Sequence, residues 1–103
     1  MIVNDRQVPL TRNLHVGLKG EDVRERQNML NALTDVGGVF GESNLAELDD
    51  DGEFGSRTLM RVKEFQGRNR LTIDGVIGPK TDTQMDALYL QALARNGGAV
   101  AGG

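Results

Sequence analysis

Apolar side chains recur every three or four residues in three stretches of the chain, which is the spacing of one face of an α-helix. This pattern predicts helices over about 21–34, 56–69 and 79–95. The positions that define the three faces are Val23, Gln27, Leu30 and Leu33, then Leu59, Val62 and Phe65, and finally Thr81, Met85, Leu88 and Ala92. Three amphipathic helices, each with one face to bury, indicate an all-α fold, a closed three-helix bundle.

The segments outside the helices have the composition of arms and loops. Residues 1–17 mix β-branched residues with Pro9, which favours a short extended N-terminal arm that can form an edge strand. The glycine-rich and polar stretch 34–50 predicts a long surface loop. Residues 96–103 have too little side chain to offset the entropy of ordering, so we expect a flexible tail or linker. The expected domain therefore covers residues 18–95.

A motif of eight residues occurs twice, 23 positions apart. Asp51–Thr58 reads DGEFGSRT and Asp74–Thr81 reads DGVIGPKT, so four positions are identical in register. Asp-Gly predicts a tight turn whose glycine has a positive φ, the apolar residue is expected to enter the core, and the second glycine leads into a helix. Pro79 stands at the first helical position, where proline is favoured. The repeated unit is thus a turn followed by a helix start.

A glutamine stands four residues after a valine on the helical face ahead of each motif. A side-chain amide on an otherwise apolar face must find hydrogen-bonding partners, and the nearby turn offers backbone groups that need them. We therefore expect Gln27 and Gln66 to pin the two turns to the helices. Thr58 and Thr81 fall in the first turn of their helices, where we expect each hydroxyl to meet an unpaired backbone group.

These motifs resemble the bacterial peptidoglycan-binding domain of the three-helix type. Its hallmark is a Gly-x-x-Val-x-x-x-Gln helix followed by Asp-Gly-x-φ-Gly-x-x-Thr, with φ apolar, and by Phe-Gln. The residues that fall on motif positions are Gly20, Val23, Gln27, Leu30, Asp51, Gly52, Phe54, Gly55, Thr58, Val62, Phe65, Gln66, Leu71, Asp74, Gly75, Ile77, Gly78 and Thr81. The resemblance implies a closed three-helix fold and no catalytic activity of its own. The loop at 34–50 and the N-terminal arm depart from the family pattern.

The resemblance also implies where the protein acts and what it binds. The expected partners are peptidoglycan, through its stem peptide and its glycan, and a fused or associated cell-wall hydrolase, as in phage lysis. The start of the chain lacks the basic stretch and apolar core of a signal peptide, so the route to the bacterial wall stays open. A different class of function stays open as well, because the same scaffold can dock another protein and fold does not fix function.

Composition removes several other classes of function. A net charge of −3 and a pI near 5.0 argue against nucleic acid as a partner, since neutralising phosphates needs a clustered excess of Lys and Arg. No apolar run approaches the length needed to span a membrane, so no membrane partner is expected. The chain has no cysteine and one histidine, His15, which excludes a disulfide framework, a thiolate metal site and a multi-histidine zinc site. We expect no cofactor.

The acidic residues suggest two chemistries that their spacing does not support. The run at 49–53 places acids around a glycine, as calcium loops do, but with Gly52 in the glycine slot the closing glutamate position is Thr58, which cannot chelate through two oxygens. A carboxylate pair could cut a glycan by acid and base catalysis, yet most acids here fall in turns or helix starts rather than in an apolar pocket. We therefore expect solvated acids and no enzyme activity.

Cationic residues cluster on and just after the second predicted helix. They can be a solvated face, or their guanidinium groups can grip the carboxylates of a stem peptide with two parallel hydrogen bonds. Without tryptophan, stacking on sugars can rely only on Tyr89 or Phe40. The candidate ligand-binding residues are Arg57, Arg61, Arg68, Asn69, Arg70, Asp74 and Tyr89.

Overall fold

Three α-helices make up the regular structure of the part of the chain that the computed structural model describes, residues 8–35 and 47–93. Helix α1 runs over Glu21–Asp35, α2 over Ser56–Arg68 and α3 over Pro79–Leu93. Carboxylates occupy the first turn of α1, where the positive end of the helix dipole stabilises them, and proline opens α3 as expected. The predicted all-α three-helix architecture is confirmed, with helix limits one or two residues from the predicted ones.

The core forms where α1 packs against both α2 and α3. The helical faces predicted from the apolar spacing point into it, and the apolar residue of each repeated motif joins them. Full burial of one such side chain contributes on the order of 1.5–3 kcal/mol to folding. The buried apolar residues are Leu14, Val23, Met29, Leu30, Leu33, Leu48, Phe54, Val62, Phe65, Ile77, Met85 and Leu88.

The N-terminal arm joins this core through Leu14, whose side chain is 0% exposed. Leu14 and Ile77 exchange two backbone hydrogen bonds, of 3.0 and 2.8 Å. A second bridge of the same antiparallel kind pairs Lys19 with Glu53. Within the described residues, the arm therefore forms one isolated bridge, to the second repeated turn, and Lys19, just after the arm, forms the other, to the first turn. These isolated bridges take the place of the edge strand that the composition of the arm favours.

A buried ion pair connects α1 to α3. Arg26 is 0% exposed, and its guanidinium donates to both carboxylate oxygens of Asp82, at 3.1 and 3.3 Å. The same guanidinium donates to the carbonyl oxygen of Val8 at 2.7 Å, which ties the arm to the two helices. Two parallel hydrogen bonds of this kind give a pair directional strength. Arg26 thus holds three segments together in the interior.

Parts of three predicted segments lie outside the described residues: positions 1–7 of the arm, positions 36–46 of the loop at 34–50, and the tail at 96–103. Of that loop, the first two residues belong to α1, and the end nearest the first motif is held by Asn31. Its side chain donates to the carbonyl oxygen of Leu48 and accepts from the Leu48 amide, both at 2.9 Å. The limits of the domain stay a prediction.

Candidate functional site

The first Asp-Gly turn is fastened to α1 and α2 by one buried side chain, Gln27. Its amide nitrogen donates to the Glu53 carbonyl oxygen at 2.9 Å and to the Thr58 hydroxyl at 3.0 Å, while its oxygen accepts from the Gly52 amide at 3.0 Å. Asp51 closes the turn, because its Oδ1 accepts from the Glu53 amide at 2.9 Å. A single glutamine therefore binds one backbone donor and one backbone acceptor of the turn, the Gly52 amide and the Glu53 carbonyl oxygen.

The second Asp-Gly turn repeats this arrangement with Gln66 of α2. The amide nitrogen of Gln66 donates to the Val76 carbonyl oxygen at 2.9 Å and to the Thr81 hydroxyl at 3.1 Å, and its oxygen accepts from the Gly75 amide at 2.9 Å. The Oδ1 of Asp74 accepts from the Val76 amide at 2.9 Å and from Gln66 at 2.8 Å. The prediction that both glutamines pin turns to helices is confirmed.

The glycines and threonines of the motifs complete the two turns. Gly52 has φ 78° and Gly75 has φ 73°, the positive values that the motif predicts. A Cβ on Gly52 would lie 3.1 Å from the carbonyl oxygen of Gly20, a contact with backbone that cannot easily relax. Thr58 and Thr81 differ from expectation: their hydroxyls accept the second hydrogen of the glutamine amide instead of meeting a backbone group. Each hydroxyl thus adds an acceptor to those that the turn already offers the buried amide.

Each turn borders a recess at the start of the helix that follows it. The first recess lies between the first turn and α2, measures about 240 Å³ and runs from Leu48 to Thr58 with Gln27 behind it. The second recess lies between the second turn and α3, measures about 450 Å³ and runs from Leu71 to Thr81. Asn13 of the arm completes the second recess. Pockets that enclose a whole small ligand measure roughly 300–1,000 Å³, so the second recess falls within that range and the first has room for a smaller group.

Asp74 supplies a fixed negative charge to the second recess. Hydrogen bonds from the Val76 amide and, next in weight, from Gln66 lower the pKa of Asp74 below its ordinary value. Both of these bonds go to Oδ1, which leaves Oδ2 to accept from a ligand. Lys80 lines the same recess and contributes the opposite charge. The second recess therefore presents one anion and one cation.

The predicted site residues do not form a single cluster. Arg57 lines the first recess and Asp74 the second. Arg68 is exposed on α2 with its guanidinium 3.9 Å from Glu64, and it borders a crevice of about 10 Å³ between α1 and α2. A water molecule needs roughly 10–15 Å³, so that crevice has no room for a ligand.

Three of the predicted ligand contacts also make contacts that hold the fold together. Arg61 is only 3% exposed and donates to the Leu30 carbonyl oxygen at 2.8 Å. Its place in an exposed arginine cluster is therefore wrong, because the long side chain reaches inward to the backbone of α1. Asn69 donates to the Phe65 carbonyl oxygen at 2.8 Å and accepts from Gln84 at 3.0 Å, which caps the end of α2. Tyr89 is half-buried and packs against the core.

Arg70 is exposed in a backbone conformation that arginine seldom adopts. It follows the last residue of α2 and its cap, and its φ is 58°. The amide of Leu71 donates to the Gln66 carbonyl oxygen at 2.9 Å, and the amide of Arg70 donates to the Gly67 carbonyl oxygen at 3.3 Å. These two bonds define a Schellman motif, in which glycine usually occupies the position that Arg70 holds. The arginine is retained there at a conformational cost.

Several residues of the second recess were not identified from the sequence. Asn13 reaches the recess because Leu14 beside it pairs with the distant Ile77, a contact that local patterns do not reveal. Thr72 gave no signal of its own, whereas Lys80 did, since it stands 23 positions after Arg57 in the repeat register. The duplication could therefore have identified Lys80 as soon as Arg57 was chosen.

Residues 8–35 and 47–93 contain neither a cluster of metal-binding side chains nor a helix that could span a membrane. No three His, Cys, Asp or Glu side chains there lie close enough together to hold a metal ion. None of the helices in these ranges is both long and apolar enough to cross a membrane.

A family model described as a peptidoglycan binding domain matches residues 19–85, which include both motifs, α1, α2 and the first half of α3. None of the curated proteins compared with the chain matches it.

Proposed function

The chain belongs to the family of peptidoglycan binding domains, and from that premise we propose that it binds the bacterial cell wall without cutting it. Its role is to anchor or target an attached or partner lytic enzyme, such as a phage endolysin or a bacterial wall hydrolase. The ligand is the stem peptide with the adjoining glycan. Because the wall repeats this unit, many weak contacts add up to firm attachment when several modules or sites engage.

The second recess is the observation that carries the proposal. Its volume of about 450 Å³ accommodates a sugar or a short peptide fragment. Oδ2 of the ionised Asp74 can accept from an amide N–H of the ligand, and Lys80 can meet a stem-peptide carboxylate. The hydroxyl of Thr72 and the amide of Asn13 add hydrogen-bonding groups that suit a polar, uncharged sugar.

Arg70 adds a second contact at the edge of this recess. It is exposed and directly precedes Leu71, which lines the recess, and we take its guanidinium to contact a ligand seated there. Strained backbone is often kept where a side chain is needed for function. Arg68, two positions earlier, is the last residue of α2, exposed and only loosely paired with Glu64. These two arginines are the members of the predicted set that can grip carboxylates from the surface.

The described carboxyl groups support binding without catalysis. A general acid that cleaves a glycosidic bond needs a raised pKa, which comes from an apolar surrounding. The carboxyl groups whose pKa departs from its ordinary value have a lowered pKa instead. The hydrogen bond from Arg12 lowers the pKa of Asp22, and the hydrogen bond from the Val76 amide lowers that of Asp74. Asp82 is bound by the buried Arg26. These groups stabilise the fold and hold negative charge.

Co-sedimentation tests the proposal. The pure protein should pellet with isolated sacculi but not with chitin or cellulose, and it should release neither muropeptides nor reducing ends over time. Equal retention on all three polymers would reject specific wall binding. Full recovery in the supernatant, under conditions where a known wall binder pellets, would instead favour the protein-docking role.

A pair of matched variants locates the surface. Thr72→Glu adds a carboxylate to the lining of the second recess, and Thr83→Glu adds the same charge to an exposed position of α3 outside both recesses. We expect Thr72→Glu to weaken sacculus binding about tenfold, or ~1.4 kcal/mol, and Thr83→Glu to bind like the parent. Equal binding by the two variants would move the site elsewhere on the molecule.

A further inference from the structure

The duplication that produced the two turns also produced the two recesses. Gln27 lines only the first recess and Asn13 only the second. Every other residue of the first recess, from Leu48 to Thr58, stands 23 positions before a residue of the second, from Leu71 to Thr81. The family match covers both recesses but distinguishes neither of them. The first recess is therefore a second copy of the site proposed above, and its ligand can be inferred from how the copies differ.

The copies differ in charge. Where the second recess has Thr72 and Val76, the first has Asp49 and Glu53. Glu53 is paired with Lys19, with 3.5 Å between Nζ and Oε1. Asp49 makes no ion pair or hydrogen bond with the side chains of the described residues. The recess therefore holds negative charge that the fold does not use.

The first recess also contains two sources of positive charge, an arginine side chain and the start of a helix. Arg57 lines it and makes no ion pair within residues 8–35 and 47–93. The helix that starts here, α2, has Gly55 as its N-cap, no side-chain hydrogen bond to that cap and no acid in its first turn. Its first backbone N–H groups and its dipole therefore favour an anion from outside. By contrast, the first turn of α3 at the second recess already contains Asp82.

We propose that the first recess binds a zwitterion, the free amino-carboxylate end of a diamino-dicarboxylic acid in the stem peptide. Arg57 and the start of α2 take its carboxylate, and the carboxylates of Asp49 and Asp51 accept from its ammonium group. The volume of about 240 Å³ equals that of roughly eight water molecules at about 30 Å³ each, which suits a group of amino-acid size. A stem peptide with lysine at the same position offers the ammonium group alone.

This inference rests on the proposed wall binding, and it adds a preference for one wall chemistry. The test uses two soluble disaccharide tripeptides that end in meso-diaminopimelate or in L-lysine, titrated by calorimetry. The parent should bind the first at least about tenfold more tightly, a difference of ~1.4 kcal/mol. Arg57→Gln should reduce that preference to less than about threefold, because the lost interaction is the one to the carboxylate that only diaminopimelate carries.

Lys80→Gln is the matched control, since Lys80 is the repeat equivalent of Arg57 in the second recess. It should weaken the binding of both tripeptides equally and keep the preference. Both variants should melt like the parent, as these side chains are exposed. Sacculus binding with no preference between the tripeptides, or a preference that survives Arg57→Gln, would overturn the zwitterion site and leave wall binding standing. Failure to bind sacculi at all would overturn both proposals.

Discussion

Replacing Arg70 with glycine should make the fold more stable and wall binding weaker. Arg70 holds the position after the cap of α2 with φ 58°, inside the two hydrogen bonds that end the helix. An L-residue there brings its Cβ close to the following carbonyl oxygen, whereas glycine has no Cβ. The substitution therefore removes backbone strain and a guanidinium group at once. The loss of strain raises stability, and the loss of the guanidinium group weakens wall binding.

The expected magnitude follows from two opposing terms. The left-handed conformation costs an L-residue on the order of 1–2 kcal/mol. Glycine gives back about 0.5–1 kcal/mol, because it loses more freedom on folding than arginine does. The free energy of unfolding of Arg70→Gly should therefore rise by about 0.5–1 kcal/mol, which in a domain of this size raises the melting temperature by roughly 2–8 °C.

Thermal melts followed by circular dichroism, paired with sacculus co-sedimentation at low salt, provide the assay. Arg70→Ala is the matched control, because it removes the same charge but keeps a Cβ at positive φ. Its melting temperature should stay within about 2 °C of the parent, as expected of a surface change. Arg68→Gly, at the last residue of α2, should lose up to about 1 kcal/mol, since its backbone is helical and glycine has poor helix propensity.

Two results would refute this reasoning. If Arg70→Gly melts no higher than Arg70→Ala, the conformational cost assigned to the arginine is wrong. If both Arg70 variants bind sacculi as well as the parent at low salt, where charge contacts count most, Arg70 makes no contact with the wall.

Three further predictions concern the interior and the turns. Arg26→Met should cost about 3–5 kcal/mol in urea unfolding, because Asp82 loses its buried partner, and adding Asp82→Leu should recover part of that loss. Gly75→Val should cost about 1–3 kcal/mol, with a matching fall in melting temperature, since its φ of 73° strains a β-branched residue. The stabilisation from the lowered pKa of Asp74 is complete above the unfolded value of about 3.9 and is lost as the pH falls through the lower folded value. Thermal melts of the parent from about pH 5 to 2 should show this loss of stability. Asp74→Asn can still accept the two turn hydrogen bonds and should lose less stability over that range. Equal pH profiles of the two proteins would show that Asp74 is not the group responsible.

The helices and the two fastened turns could be predicted because their causes are local. The apolar spacing located each helix, and a buried amide such as Gln66 has few ways to satisfy its groups other than the turn beside it. The positive φ at Gly75 follows from the Asp-Gly pair in the same local manner.

The interior arginines could not be predicted, because their burial depends on contacts distant in sequence. Arg61 and Arg68 both lie on α2, yet Arg61 is 3% exposed with its guanidinium on the carbonyl oxygen of Leu30, while Arg68 stays at the surface. Nothing in the spacing of charges separates these two outcomes. Arg26 went unnoticed for the same reason, since its partner Asp82 lies 56 positions away.

The comparison of the two motif copies indicates where this module is free to change its ligand. The positions identical in both copies include the glycine and threonine bonded to the glutamine amide, and these are buried in each copy: Gly52 and Thr58, Gly75 and Thr81. They maintain the turn whatever the recess binds.

Four pairs of differing positions line the recesses, and their residues are exposed except for the half-buried Val76: Asp49 against Thr72, Glu53 against Val76, Ser56 against Pro79 and Arg57 against Lys80. Substitution at these positions changes the charge and shape of the recess without removing a hydrogen bond that holds the turn. Exchanging Asp49 and Thr72 between the copies should therefore leave the melting temperature within about 2 °C and still alter which tripeptide binds. A loss of folding on that exchange would show that the recess residues also support the turns, and that stability and specificity cannot vary independently.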